Sequence, residues 1–123
     1  MKTPPGHMNV NLVKLVQAGV PIATGTDAGN IGTLHVSSYF TELRLMQQAG
    51  MSVPQILQSS TVNGAKVLGR QNTFGSIEKG KLADMILLNA NPFESLANWQ
   101  NIHAIINKGQ VLQPEVLLNS NKN

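Results

Sequence analysis

Five residues, Gly25-Thr26-Asp27-Ala28-Gly29, carry the strongest suggestion of chemistry in this 123-residue sequence. They close Val20-Pro21-Ile22-Ala23-Thr24-Gly25, a short apolar run entered through a proline. Its length, β-branched content and flanking glycines predict a strand buried on both faces, as in a parallel sheet. A carboxylate just past the C-terminal end of such a strand stands where α/β barrels place catalytic groups. Glycines on either side permit tight turns and the close approach of a ligand. Asp27-Ala28-Gly29 equally suits an ordinary turn or helix cap, and its spacing alone leaves both readings open. His35 lies in the loop before the next predicted helix, where a capping or solvent-facing histidine would also be at home. His103 falls in a predicted outer strand and reads as structural, and His7 carries a weaker signal still.

Composition narrows the chemistry further. The absence of cysteine excludes a disulfide framework, thiolate metal ligands and a cysteine nucleophile. Nine Lys and Arg against six Asp and Glu give a net charge of +3, scattered without a run. With one Trp and one Tyr there is little for bases to stack on, so no nucleic-acid partner is expected. Hydrophobic residues make up 41% and charged residues 12%, a balance that allows one small domain with its own core. The opening MKTPPGHMNV has no apolar leader core, and no stretch approaches the roughly 18 apolar residues of a membrane span. A cytoplasmic protein is the expectation.

The elements that would position Asp27 are readable from periodicity. Val10, Val13 and Val16, with Leu12 and Leu15, predict a helix closed by Gly19, which feeds the Val20–Gly25 strand as in an α/β unit. Val36, Tyr39, Phe40, Leu43 and Met46 form one helical stripe, and Gly50 ends that helix. Ser52 with Gln55 is a capping-box pattern, with Pro54 in the first turn. The helix it opens is expected to run to Leu68 and stop at Gly69. Its Ser59, Ser60, Gly64 and Ala65 are small enough to admit another backbone. From Phe74 the pattern changes to short strands: a hairpin-like segment punctuated by Gly75 and Gly80, then strands over 83–88, 102–107 and 110–112.

Taken in order, GVPIATGTDAG, LHVSSYFTELRLMQQAGMSVPQILQSSTVNGAKVLG, GSIEKGKLADMILLNANPFESL and IINKGQVL resemble the closing stretch of the metal-dependent amidohydrolase superfamily. Imidazolonepropionase-like and prolidase-like amidohydrolases are the most similar branches, and the resemblance covers residues 9 to 113. It implies an α/β fold: the last βα unit of a (β/α)₈ barrel over residues 1–73, and part of a small β-sandwich over 74–123. Asp27 maps to the carboxylate after the eighth barrel strand, which binds the metal and carries a proton from the attacking water to the leaving nitrogen. His35 maps to a loop position that could hold substrate or steady Asp27. The Gly80-Lys81-Ala83-Asp84 motif maps to a sandwich turn, and Thr61 and Asn63 to helix packing rather than chemistry.

The resemblance implies a divalent metal, zinc first in the full-length family, while a single carboxylate is compatible with Zn²⁺, Mn²⁺ or Fe²⁺ alike. The family's other ligands include an H-x-H pair, and this sequence has three histidines and no H-x-H. One carboxylate does not hold a catalytic ion, since such sites take three or more protein ligands. The chain is therefore expected to bind no metal stably by itself and to be inactive alone. Either the remaining barrel precedes it in a longer frame or another polypeptide supplies it. A barrel strand and sandwich strands without their neighbours leave adhesive edges, so self-association is expected. The alternative reading is a non-catalytic binding or oligomerising module in which Asp27 is only a turn residue.

Overall fold

The computed structural model describes residues 7–29 and 34–113, with residues 7–9 described in backbone only. Four helices come first: α1 His7–Gln17, α2 Ser37–Gln48, α3 Val53–Ser60 and α4 Val62–Val67. A small antiparallel sheet follows, with β1 Met85–Leu88, β2 Ile102–Asn107 and β3 Gln110–Leu112 in that spatial order. A 3₁₀ turn, Leu96–Gln100, lies between β1 and β2.

Local signals set most of these boundaries. Gly19 takes a positive φ of 75° after α1, and the Val20 N–H returns to Leu15 O at 3.0 Å, closing the helix by a left-handed cap. The capping box of α3 is fully formed. The Ser52 hydroxyl accepts the Gln55 N–H, and the Gln55 side chain accepts the Ser52 N–H at 2.8 Å. In the sheet, Ile106 faces Met85 on one side and Val111 on the other. Lys108 and Gly109 both adopt positive φ, 49° and 82°, as a two-residue hairpin turn of the primed kind requires.

Three sequence expectations are corrected. Val20–Gly25 forms no strand, because a strand exists only through ladder bonds and no described strand runs beside it. Nor is it buried on both faces: Val20 is 44% exposed, and Ile22, Ala23 and Thr24 are half-buried. The helix expected from Ser52 to Leu68 breaks at Thr61, whose φ and ψ are −128° and −90°. Two hydroxyls act there. Ser59 donates to Gln55 O at 3.0 Å and Thr61 to Leu57 O at 2.7 Å, the back-bonding that bends helices. The segment punctuated by Gly75 and Gly80 is a series of turns, not a strand hairpin, returning when the Leu82 N–H donates to Thr73 O at 2.8 Å.

The core gathers Leu43 and Met46 from α2, Met51, and Val53 and Ile56 from α3. Leu96 and Trp99 of the 3₁₀ turn join the same cluster, so it draws on residues both before and after position 74. The Trp99 indole N–H donates to Pro92 O at 2.8 Å, which lets the ring bury without stranding its polar atom. Among the described residues no helix is long and apolar enough to cross a membrane.

Candidate active-site segment

Lacking ladder partners, residues 22–25 are held by side chains and helix ends instead. Asn63 at the start of α4 donates its amide to Ile22 O at 2.8 Å. The Thr24 N–H donates to Ser59 O of α3 at 3.2 Å. The Gly25 N–H donates to Glu42 Oε1 of α2 at 2.8 Å. Three helices thus fix the segment that delivers Asp27. Asn63, which the sequence suggests only as a packing residue, acts directly on this segment.

Asp27 is exposed and adopts a left-handed φ of 49°, a conformation that aspartate enters more readily than most residues. A turn over Ala28 and Gly29 follows directly. Gly29 follows with φ 116°, and the His35 ring lies against it. A Cβ placed on Gly29 would sit 3.8 Å from His35 Cε1 and 3.9 Å from Nε2. The fold therefore brings His35 to the Asp27 loop from the start of α2. Val36, beside it, holds a φ of 68° that is rare for a β-branched residue.

The other candidates lie elsewhere. His103 Nδ1 is 3.0 Å from Asn89 Oδ1, an exposed pair joining β2 to the end of β1. Asp84 accepts the Lys108 N–H at 2.7 Å and thereby shapes the β2–β3 turn. The side chain of His7 falls outside the described residues. An electrostatic cluster also forms among the turns that follow α4. Hydrogen bonds from Ser76 and Lys81, aided by the Lys81 charge 3.0 Å away, hold the exposed Glu78 carboxyl below its ordinary range.

Among the described residues, no three His, Cys, Asp or Glu side chains come together as a metal would require. Catalytic metal centres take three or more protein ligands, so the donor set around Asp27 does not by itself fit one. What the arrangement supplies is an exposed carboxylate on a braced loop, with an imidazole packed against Gly29 of the same loop. Sequence reasoning missed Glu42, because the apolar stripe of α2 marks it only as an off-stripe polar residue.

The comparisons with known proteins identify the class. A match to the amidohydrolase family extends over residues 7–112, and the chain belongs to that family. The imidazolonepropionase of Shouchella clausii is 35% identical over 88 residues, which cover 70% of this chain and 19% of that protein. The crystal structure of a Xaa-Pro dipeptidase with methionine bound in its active site is 34% identical, with a TM-score of 0.74. It matches 86% of this chain and 25% of its own. Phenylurea hydrolase B is 25% identical with a TM-score of 0.77, over 89% of this chain and 28% of its own. The chain spans less than a third of the length of each of these proteins.

Proposed function

We propose that this chain is the closing portion of a metal-dependent hydrolase acting on carbon–nitrogen bonds of amide, cyclic amide or Xaa-Pro type. Residues 1–73 contribute the last βα unit of a barrel, and residues 74–123 contribute strands of a small β-sandwich. Asp27 is its one metal ligand and proton carrier, and His35 contacts substrate beside it. The metal, zinc before others, would polarise the scissile bond and the attacking water once further ligands are supplied from outside this chain. The observation that supports the reading is the bracing of residues 22–25 by α2, α3 and α4. It sets an exposed Asp27 in a loop whose Gly29 lies against the His35 ring.

Alone, the chain is expected to be inactive. Plasma mass spectrometry of the purified chain should find metal well below stoichiometry, unchanged by Asp27→Ala, with no turnover of N-acyl or Xaa-Pro substrates. Near-stoichiometric zinc that vanishes in Asp27→Ala would show instead that several copies build a centre around Asp27.

A second reading, a non-catalytic binding or oligomerising module, is favoured by the apolar residues the sheet leaves in water. Ile86 is 60% exposed and Val111 62%, and they lie on opposite faces. Both readings share the proposal that the chain self-associates through such faces or its unpaired edges. Sedimentation velocity should give a mass that rises with concentration. A sharp monomer boundary throughout would remove self-association.

A further inference from the structure

We propose that Glu42 is a positioning residue for Asp27, acting through the backbone N–H of Gly25; the inference rests on Asp27 being the reactive carboxylate. The anchors of the segment fall in order along it: Ile22 O on Asn63, Thr24 N on Ser59 O, and Gly25 N on Glu42 Oε1. The last lies two residues before Asp27, just ahead of the left-handed turn that Asp27 opens. A hydrogen bond to a carboxylate is roughly twice as strong as one between neutral groups, so this contact fixes the loop's origin most firmly. Glu42 itself stands on a rigid base, since the next residue on α2, Leu43, is fully buried in the core.

The placement costs stability. Glu42 is half-buried, and its second oxygen, Oε2, is buried with no hydrogen-bond donor among the described residues. An unsatisfied carboxylate oxygen is an expensive group for a helix to keep against its core. Nothing in the packing of α2 calls for it, because the stripe of Tyr39, Phe40, Leu43 and Met46 already supplies the buried face. A residue that weakens the fold where it braces a reactive loop is the pattern expected of a site's supporting shell. Sequence periodicity hides this role, since it lies in a contact spanning 17 residues.

The test is nuclear magnetic resonance on the intact chain, which needs neither metal nor substrate. In the unmutated protein a coupling through the hydrogen bond should link the Gly25 amide nitrogen to the Glu42 carboxyl carbon. Absence of that coupling overturns the proposal without any variant. Glu42→Ala should speed exchange of the Gly25 amide roughly ten- to a hundredfold. It should also shift the resonances of Gly25–Gly29 and His35, while the Trp99 indole proton keeps its protection. Glu42→Gln, which retains an acceptor oxygen, should restore the Gly25 protection. Equal acceleration at Trp99 and Gly25 would show general loosening and reject a positioning role. The metal content of Asp27→Ala is a separate readout, so failure of the coupling and failure of the metal assignment can be told apart.

Discussion

Gly75→Ala is expected to remove about 2 to 6 kcal/mol from the folding free energy, enough to threaten a native state worth only about 5–15 kcal/mol. Two effects combine. Gly75 sits at φ +98°, where an L side chain is strained by about 1–3 kcal/mol. Its added Cβ would also meet the Ala65 Cβ at 2.6 Å and Thr61 O at 3.2 Å. Ala65 is buried and its side chain has no rotamer to turn away, so relief must come from the backbone. Overpacking of that kind costs about 1–3 kcal/mol more. Gly80→Ala is the internal control: its φ is +91° but nothing lies within 4 Å of the new Cβ. That variant should incur the conformational part alone. Urea titrations of the two should therefore differ in midpoint, with Gly75→Ala unfolding at the lower concentration. Matching midpoints would mean that the chain does not approach α4 so closely.

The same contact bears on the proposed site. Gly75 presses on the turn at Thr61 where α3 gives way to α4, and that turn lies between Ser59 and Asn63, two of the three anchors of the Asp27 segment. Loss of the close approach should thus loosen residues 22–25 along with the helices.

How much of this was legible beforehand follows from the range of the forces involved. The Ser52–Gln55 box, β2, β3 and the turn between them are written in residues a few positions apart, and the structure repeats them nearly residue for residue. The α2 stripe holds from Tyr39 to Met46, but Val36, expected on it, precedes the helix at a non-helical φ of 68° and is 76% exposed. Asp84 could be read as a turn residue from the glycines and lysines around it, but its bond to Lys108, 24 residues on, could not. The Val20–Gly25 run has strand composition, yet a strand needs a neighbour, and composition says nothing about whether one stands beside it. The break at Thr61 was hidden because serine and threonine hydroxyls permit a bend without demanding it. The 3₁₀ turn carrying Leu96 and Trp99 is too short for any periodic signal. At the proposed site, Asp27 stands out in the sequence because glycines frame it, and His35 because it precedes a readable helix. Glu42 and the direct action of Asn63 were not legible, since their partners lie 17 and 41 residues away.

Ile56→Ala should be the most damaging single truncation of the core, lowering stability by about 2–5 kcal/mol. Ile56 is fully buried in the middle of α3, in one cluster with Leu43 and Met46 of α2 and with Leu96 and Trp99 from beyond the helices. Helices α2 and α3 and the 3₁₀ turn meet there, so neighbours pinned from several directions cannot collapse into the space left behind. The cost then approaches the upper end, where transfer and cavity effects add. Ile56→Val, which removes one methylene, should cost only about 0.5–1.5 kcal/mol. Denaturant titration followed by Trp99 fluorescence reads both, since the indole belongs to the same cluster. The consequence reaches the reactive loop through geometry rather than contact. Glu42 is the neighbour of Leu43 on α2, and Ser59 and Asn63 stand on α3 and α4, so the brackets on residues 22–25 are registered against one another by this core. In Ile56→Ala, Gly25 and Trp99 should lose exchange protection together, whereas Glu42→Ala should release Gly25 alone. Were Ile56→Ala to leave Gly25 protected while exposing Trp99, the loop would be held independently of the core. The bracing of Asp27 by packed helices would then have to be abandoned.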